Sequence, residues 1–243
     1  MVLLWWMMMN VHSNIQPINT IGEAVQTFTH HTQCVGVLSE LNVDIFDKGN
    51  ENIIVKYKGV VDINNAFIKI YGNVSNSSSK FNSMMEKLKS LEAEIKTLSN
   101  DGEIIRTEYK SKASVVAIYG MITSPDSIYV DSINEVSSKV SPYFQGIITG
   151  YVLDVNQQNR MAKLFVIDSY YHRTINIVFG ANTSFNDVEQ GDMLKTYIDV
   201  FGYQDQYPPL QCTYYNKLDT KINDDVIQQA LKEHQIFMNA LTY

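Results

Sequence analysis

Along residues 34–74 apolar positions alternate with polar ones in three runs, Cys34–Ile45, Ile53–Val61 and Phe67–Val74. Each is rich in β-branched and aromatic residues, and turn clusters separate them, Asp47-Lys48-Gly49-Asn50 after the first and Asp62–Asn65 after the second. That punctuation predicts a meander of strands joined by hairpins. Past the serine-rich stretch Ser75–Ser79 the period changes. Phe81, Met84, Leu88, Leu91, Ile95 and Leu98 recur at three-and-four spacing, which predicts an amphipathic helix over 80–99 ending near Asn100-Asp101-Gly102. Its apolar seam is short for a coiled coil, so packing against the sheet is expected. Strand character returns at Ser114–Ile122 and Tyr129–Val136, split by the Ser124-Pro125-Asp126 turn.

The second half repeats the plan. Phe144–Val155, Arg160–Asp168, Arg173–Phe179, Met193–Phe201 and Gln211–Leu218 read as strands, with Ser184–Val188 a short helical turn or loop. Asp224–Leu241 reads as a helix with Ile227, Leu231, His234, Met238 and Leu241 on one face, and Asp224 and Asp225 suit its N-terminus. At the other end, Val2–Met9 is an apolar octet with two tryptophans. It is too short to span a bilayer and lacks the basic flank and small-residue cleavage site of a secretory signal. Packing on the protein is favoured over docking elsewhere, because exposed Trp5 and Trp6 would invite aggregation.

With 45% hydrophobic and 19% charged residues among 243, the chain is expected to bury a real core, which excludes a disordered tail and a multi-span membrane protein. The net charge of −7 is unevenly spread. Residues 1–47 hold no Lys or Arg against 4 acidic residues, residues 48–112 hold 11 basic against 8, and residues 113–243 hold 8 against 14. The basic middle keeps a nucleic-acid partner open, since binding depends on a local cationic surface, while the acidic total argues against coating of duplex DNA. Cys34 and Cys212 are too far apart in sequence for a disulfide framework or a Cys-x-x-Cys metal site, which suits a reducing, cytoplasmic compartment. His30, His31 and Cys34 cluster but lack a fourth zinc ligand at similar spacing, so no metal is expected. Phosphate-loop, dinucleotide, zinc-protease and serine-elbow motifs are absent, and Asp154, Asp168 and Asp192 are scattered, so neither an enzyme nor a cofactor is expected.

Three strands, a helix and two strands is the order of the OB-fold, a five-stranded Greek-key barrel. Gly146-Ile147-Ile148-Thr149-Gly150-Tyr151-Val152 resembles its long glycine-bent first strand, and Gly191-Asp192 before Met193 resembles the turn into its fourth. Residues 34–136 and 143–218 together resemble tandem OB-fold single-stranded-DNA-binding proteins of the kind found in bacteriophages and in replication protein A. The implied class is mainly β with short helices. Residues 1–33 form an N-terminal apolar segment, 34–140 a first barrel with the inserted helix 80–99, 141–218 a second barrel, and 219–243 a C-terminal amphipathic helix. The resemblance implies a single-stranded DNA partner, a role in replication or recombination, and, for a phage protein, the bacterial host's cytoplasm. The C-terminal stripe needs a partner surface, either the chain's own second barrel or another chain; another chain, as homo-oligomer or with a protein partner, is favoured because such barrels close most of their own core.

Alternation places Phe67, Lys69 and Tyr71 on one face of the third strand, opposite the core residues Ile68, Ile70 and Val74, and likewise Lys56 and Lys58 opposite Val55 and Tyr57. Strands two and three carry ligand in this fold. Cations that neutralise phosphates and rings on which bases stack are what a single strand requires. Arg106, Tyr109, Lys110 and Lys112 lie where a loop could fold over such a strand, diluted by Glu103 and Glu108. In the second half Lys163 and Phe165 share a face, and Tyr170, Tyr171 and Arg173 follow in the next connection. Tyr203, Tyr207, Tyr214 and Tyr215 around Pro208-Pro209 suit packed loop residues and base platforms equally, and none is assigned. The expected function is non-catalytic binding of single strands with little sequence preference. The alternative is a structural or adaptor subunit of a viral, transcription or replication assembly, in which the Phe67-Lys69-Tyr71 row is buried or neutralised.

Overall fold

The computed structural model describes residues 17–28, 30–47, 53–91, 94–98, 104–108, 114–168, 172–202 and 208–241. In chain order these form α1 (Ile21–Thr27), β1 (His30–Asp47), β2 (Ile53–Ile63), β3 (Ala66–Ser75), α2 (Phe81–Ser90), β4 (Glu94–Leu98), β5 (Ile104–Glu108), β6 (Ser114–Ser124) and β7 (Ser127–Glu135). There follow β8 (Tyr143–Asn156), β9 (Met161–Val166), β10 (Arg173–Phe179), β11 (Met193–Val200), β12 (Leu210–Lys217) and α3 (Asp224–Leu241). The apolar octet Val2–Met9 lies outside the described residues.

Two rings of strands close. In the first, β1 pairs β2, β2 pairs β3, β3 runs parallel to β7, β7 pairs β6, and β6 returns to β1. In the second, β8, β9, β10, β12 and β11 repeat that circuit, with the parallel contact at β10–β12. Each is the five-stranded OB-fold barrel. The barrels share one sheet because the start of β1, His30–Val35, pairs antiparallel with the start of β8, Tyr143–Ile148. Each first strand then leaves its partner for its own second strand. At that crossover in β1, Gly36 lies so close to β2 that a Cβ would sit 2.5 Å from the Asp62 carbonyl oxygen. Any larger residue forces the strands apart. At the seam the Gln33 amide donates to the Tyr119 hydroxyl at 2.9 Å and to that of Tyr143, tying β6, β1 and β8 together on their outer side.

One apolar cluster fills both barrels; α2 adds Met84 and Leu88 to it, and Leu91 joins from just past the helix end. The expected helix over 80–99 is shorter. It ends at Ser90, Leu91 is already extended, and Glu94–Leu98 is a strand running parallel to Asn42–Phe46 of β1. β5 pairs antiparallel with β4. The three-and-four spacing continued by Ile95 and Leu98 is overridden because the far end of β1 otherwise presents an unpaired edge, and pairing satisfies its backbone groups.

A second cluster lies outside the second barrel. Ile18, Ala24 and Phe28 from the α1 segment and Val226, Ile227 and Ala230 from α3 bury Phe165, Ile167 and Met193. The two segments also clasp each other: the Ile18 amide donates to the Lys221 carbonyl and the Asn223 amide to the Ile18 carbonyl, both at 2.9 Å. α1 is set by a reciprocal cap, in which the Thr20 hydroxyl accepts from the Glu23 amide and the Glu23 carboxylate accepts from the Thr20 amide. The surface expected of another chain is therefore supplied, over Val226–Ala230, by the protein's own barrel. A closed barrel still leaves apolar side chains on its outside, and α3 covers those. Farther along, Ile236 and Met238 are exposed. Among the described residues no helix is long and apolar enough to cross a membrane.

Candidate nucleic-acid interface

The outer face of β2 and β3 is built by strict alternation. From Ala66 to Val74 every second side chain is buried, so Phe67, Lys69, Tyr71 and Asn73 face outward, and on β2 Lys56 and Lys58 do the same beside buried Val55 and Tyr57. The register sets Lys58 opposite Tyr71, Lys56 opposite Asn73 and Asp62 opposite Phe67. Buried Tyr57 fixes the sheet from below by donating its hydroxyl to the Val130 carbonyl at 2.8 Å. Phe67 is 55% exposed, and Tyr71 meets Tyr129 of β7 edge to face at 5.6 Å. A platform of rings and cations is therefore present and open.

Its charge is less than its lysines suggest. Lys69 Nζ lies 2.6 Å from the Asp126 carboxylate in the β6–β7 turn. That hydrogen bond, then the one from Ser124, holds the Asp126 carboxyl below its usual range. Asp44 of β1 stands in register with Lys56, whose ammonium lies 5.2 Å from the centre of the Phe46 ring. Asp126→Asn removes the competing carboxylate from Lys69, and affinity for a single strand is expected to rise about threefold, as one freed phosphate contact would give. Unchanged affinity by fluorescence anisotropy would place Lys69 off the path.

In the second barrel the expected set comes apart. Lys163 is exposed opposite Asn176, but Phe165 is fully buried under α3, with its ring 6.1 Å from those of His172 and His234. Alternation identified the outer face correctly and could not show that a helix covers it. Arg173 is also buried, its guanidinium 3.1 Å from the Asp168 carboxylate, which lies 3.0 Å from His30 Nε2. Burial and Arg173 push His30 below its ordinary value against the opposing pull of Asp168. These groups tie the start of β1 to the second barrel. Arg106 sits in strand β5 with its backbone opposite Thr97, not in a loop. Tyr109, Lys110, Lys112, Tyr170 and Tyr171 lie outside the described residues.

The His30, His31 and Cys34 grouping does not assemble either. On a strand His31 and Cys34 point to opposite faces, His31 outward and Cys34 into the core. Burial pushes both thiols, Cys34 and Cys212, up to about 12. Neither is expected to react with iodoacetamide in the folded protein at pH 8, and mass spectrometry before and after unfolding checks this.

The outer face of β11 and β12 gathers Tyr214, unassigned from the sequence, with residues that the sequence did not single out. Lys195 and Tyr197 stand in register with Asn216 and Tyr214, and Tyr214 is 57% exposed. The signal was there, since Lys195-x-Tyr197 has the same cation–aromatic alternation as Lys69-x-Tyr71.

No protein-family model matches this chain, and no curated protein matches it. Among solved structures, a deletion variant of the single-stranded DNA binding protein from Thermus aquaticus is similar at 7% identity with a TM-score of 0.46, covering 79% of this chain and 95% of that one. The wild-type form of that protein gives 7% identity and 0.44, covering 79% and 93%. The tetrameric p202 HIN2 gives 12% and 0.20, covering 84% and 99%. The fold of this chain follows from its own strand pairing.

Proposed function

We propose that this protein binds single-stranded DNA without catalysis and with little sequence preference, in replication or recombination, through the outer face of β2 and β3. The observation that carries the reading is the open row of Phe67, Lys69 and Tyr71 with Lys56 and Lys58 beside it. Flat rings offer each unpaired base a stacking partner worth about 1–3 kcal/mol, and ammonium groups release counterions from the phosphates. The strand runs across β2 and β3, its bases on the rings and its phosphates toward Lys56 and Lys58. Duplex DNA offers the phosphates but not the rings' ligand.

The test is charge reversal. Lys56→Glu with Lys58→Glu weakens binding to oligo-dT and lowers the slope of log affinity against log salt by about 1.4 or more, at about 0.7 per lost contact. Melting is unaltered because both side chains are exposed. An unchanged slope would refute this path. One observation favours the adaptor reading instead: the Lys69–Asp126 ion pair partly neutralises the row. A folded wild-type protein that ignores oligo-dT at low salt would decide for it.

A further inference from the structure

Resting on that reading, we propose that the second barrel carries its own nucleotide subsite, an open groove between the β10–β11 connection and β12 that takes one unpaired base of the same strand. The groove has a volume of about 460 Å³, and Asn182, Thr183, Asp187, Tyr214, Asn216 and Lys217 are among its lining residues. That is room for a nucleotide in a site of ordinary size.

The stacking partner is Tyr214. With Phe67 it is one of the two most exposed aromatic rings among the described residues, and the barrels hold one each. One side of Tyr214 leans on Tyr197, rings 5.6 Å apart and tilted by 39°, and Lys195 Nζ lies 5.7 Å from the Tyr197 centre. Ring, ring and ammonium thus run in a row across β12 and β11, as ring and ammonium do on β3 and β2. The Tyr214 hydroxyl donates to Asn216 Oδ1 at 2.7 Å, which holds the ring and leaves the Asn216 amide N–H groups for the edge of a base.

The polarity of the groove selects the base over the phosphate. Asp187 is held in its ionised form by the hydrogen bond from Tyr215, and Lys217, the groove's ammonium, is committed to the Asp187 carbonyl and to Asp192 at 2.9 Å. A phosphate inside would be repelled by the carboxylate, whereas a base's N–H groups can donate to it. The phosphate lies toward Lys195. Location argues the same way. α3 covers the face that holds Phe165, which leaves Tyr214 as the most exposed ring of the second barrel among the described residues.

The test uses the full chain with oligo-dT of about 30 nucleotides, enough for two barrels, and of about 8, enough for one. The long strand carries 5-iodouracil for photo-cross-linking. Cross-links are expected at Tyr214 as well as at Phe67 or Tyr71. Tyr214→Ala weakens the long strand about tenfold, leaves the short strand and the melting temperature unaltered, and Tyr214→Phe restores binding. Cross-links confined to the first barrel, or long-strand affinity unchanged in Tyr214→Ala, would overturn the subsite and leave the first barrel's role standing. No binding of either length by the wild-type chain would overturn that role and the subsite with it.

Discussion

Phe165→Ala destabilises the protein by about 3–5 kcal/mol, the usual cost of emptying a large aromatic site in a packed core. For a chain of this size that lowers the melting temperature by roughly 10 °C. The side chain is fully buried where α1, α3 and the second barrel meet, and it touches His172 and His234 edge to face. Its loss also strips α3 of its main seat, so amide exchange should quicken across Asp224–Leu241 before it does in β1–β3. The contrast is with a nucleic-acid contact, whose removal leaves stability intact. A melting temperature within a degree or two of wild type would mean that α3 does not rest on Phe165.

Phe67→Ala with Tyr71→Ala weakens binding to oligo-dT by about 100-fold or more, since each lost stack is worth about 1–3 kcal/mol. The salt slope stays where it was, because no cation is removed. This separates the two halves of the interface: ring variants shift affinity at constant slope, and the Lys56 and Lys58 reversals change the slope. Both rings are exposed, so circular dichroism and melting should match wild type. A double variant that binds as wild type would place the bases elsewhere on the molecule.

Most strands were legible because period-two alternation survives wherever a sheet has one buried face. Arg173–Phe179 and Asp224–Leu241 fall where the pattern predicted them. The inward set Ile68, Ile70 and Val74 and the outward set Phe67, Lys69 and Tyr71 follow from the same rule. The Gly191-Asp192 turn is also as read, with Gly191 at a φ of 95° that favours glycine. What failed were features decided by distant partners. Ile95 and Leu98 kept helical spacing, but the free edge of β1 drew them into a strand. Phe165 does face outward from the barrel, as alternation predicts, but the helix that covers it lies about sixty residues on. Lys69 looked like a free cation until the β6–β7 turn brought Asp126 to it. Charge pairing of this kind has no local signature, which is why the interface is better read in its rings than in its lysines.

The proposed function requires that the chain hold unpaired bases in preference to paired ones. Anisotropy titrations of the wild-type protein with oligo-dT and with a duplex of equal length, from about 50 to 200 mM salt, test it most directly. Affinity is expected to be about two orders of magnitude tighter for the single strand, falling with salt and keeping its lead over duplex throughout. Equal affinity for the two forms at every salt concentration, or binding to neither, would contradict it.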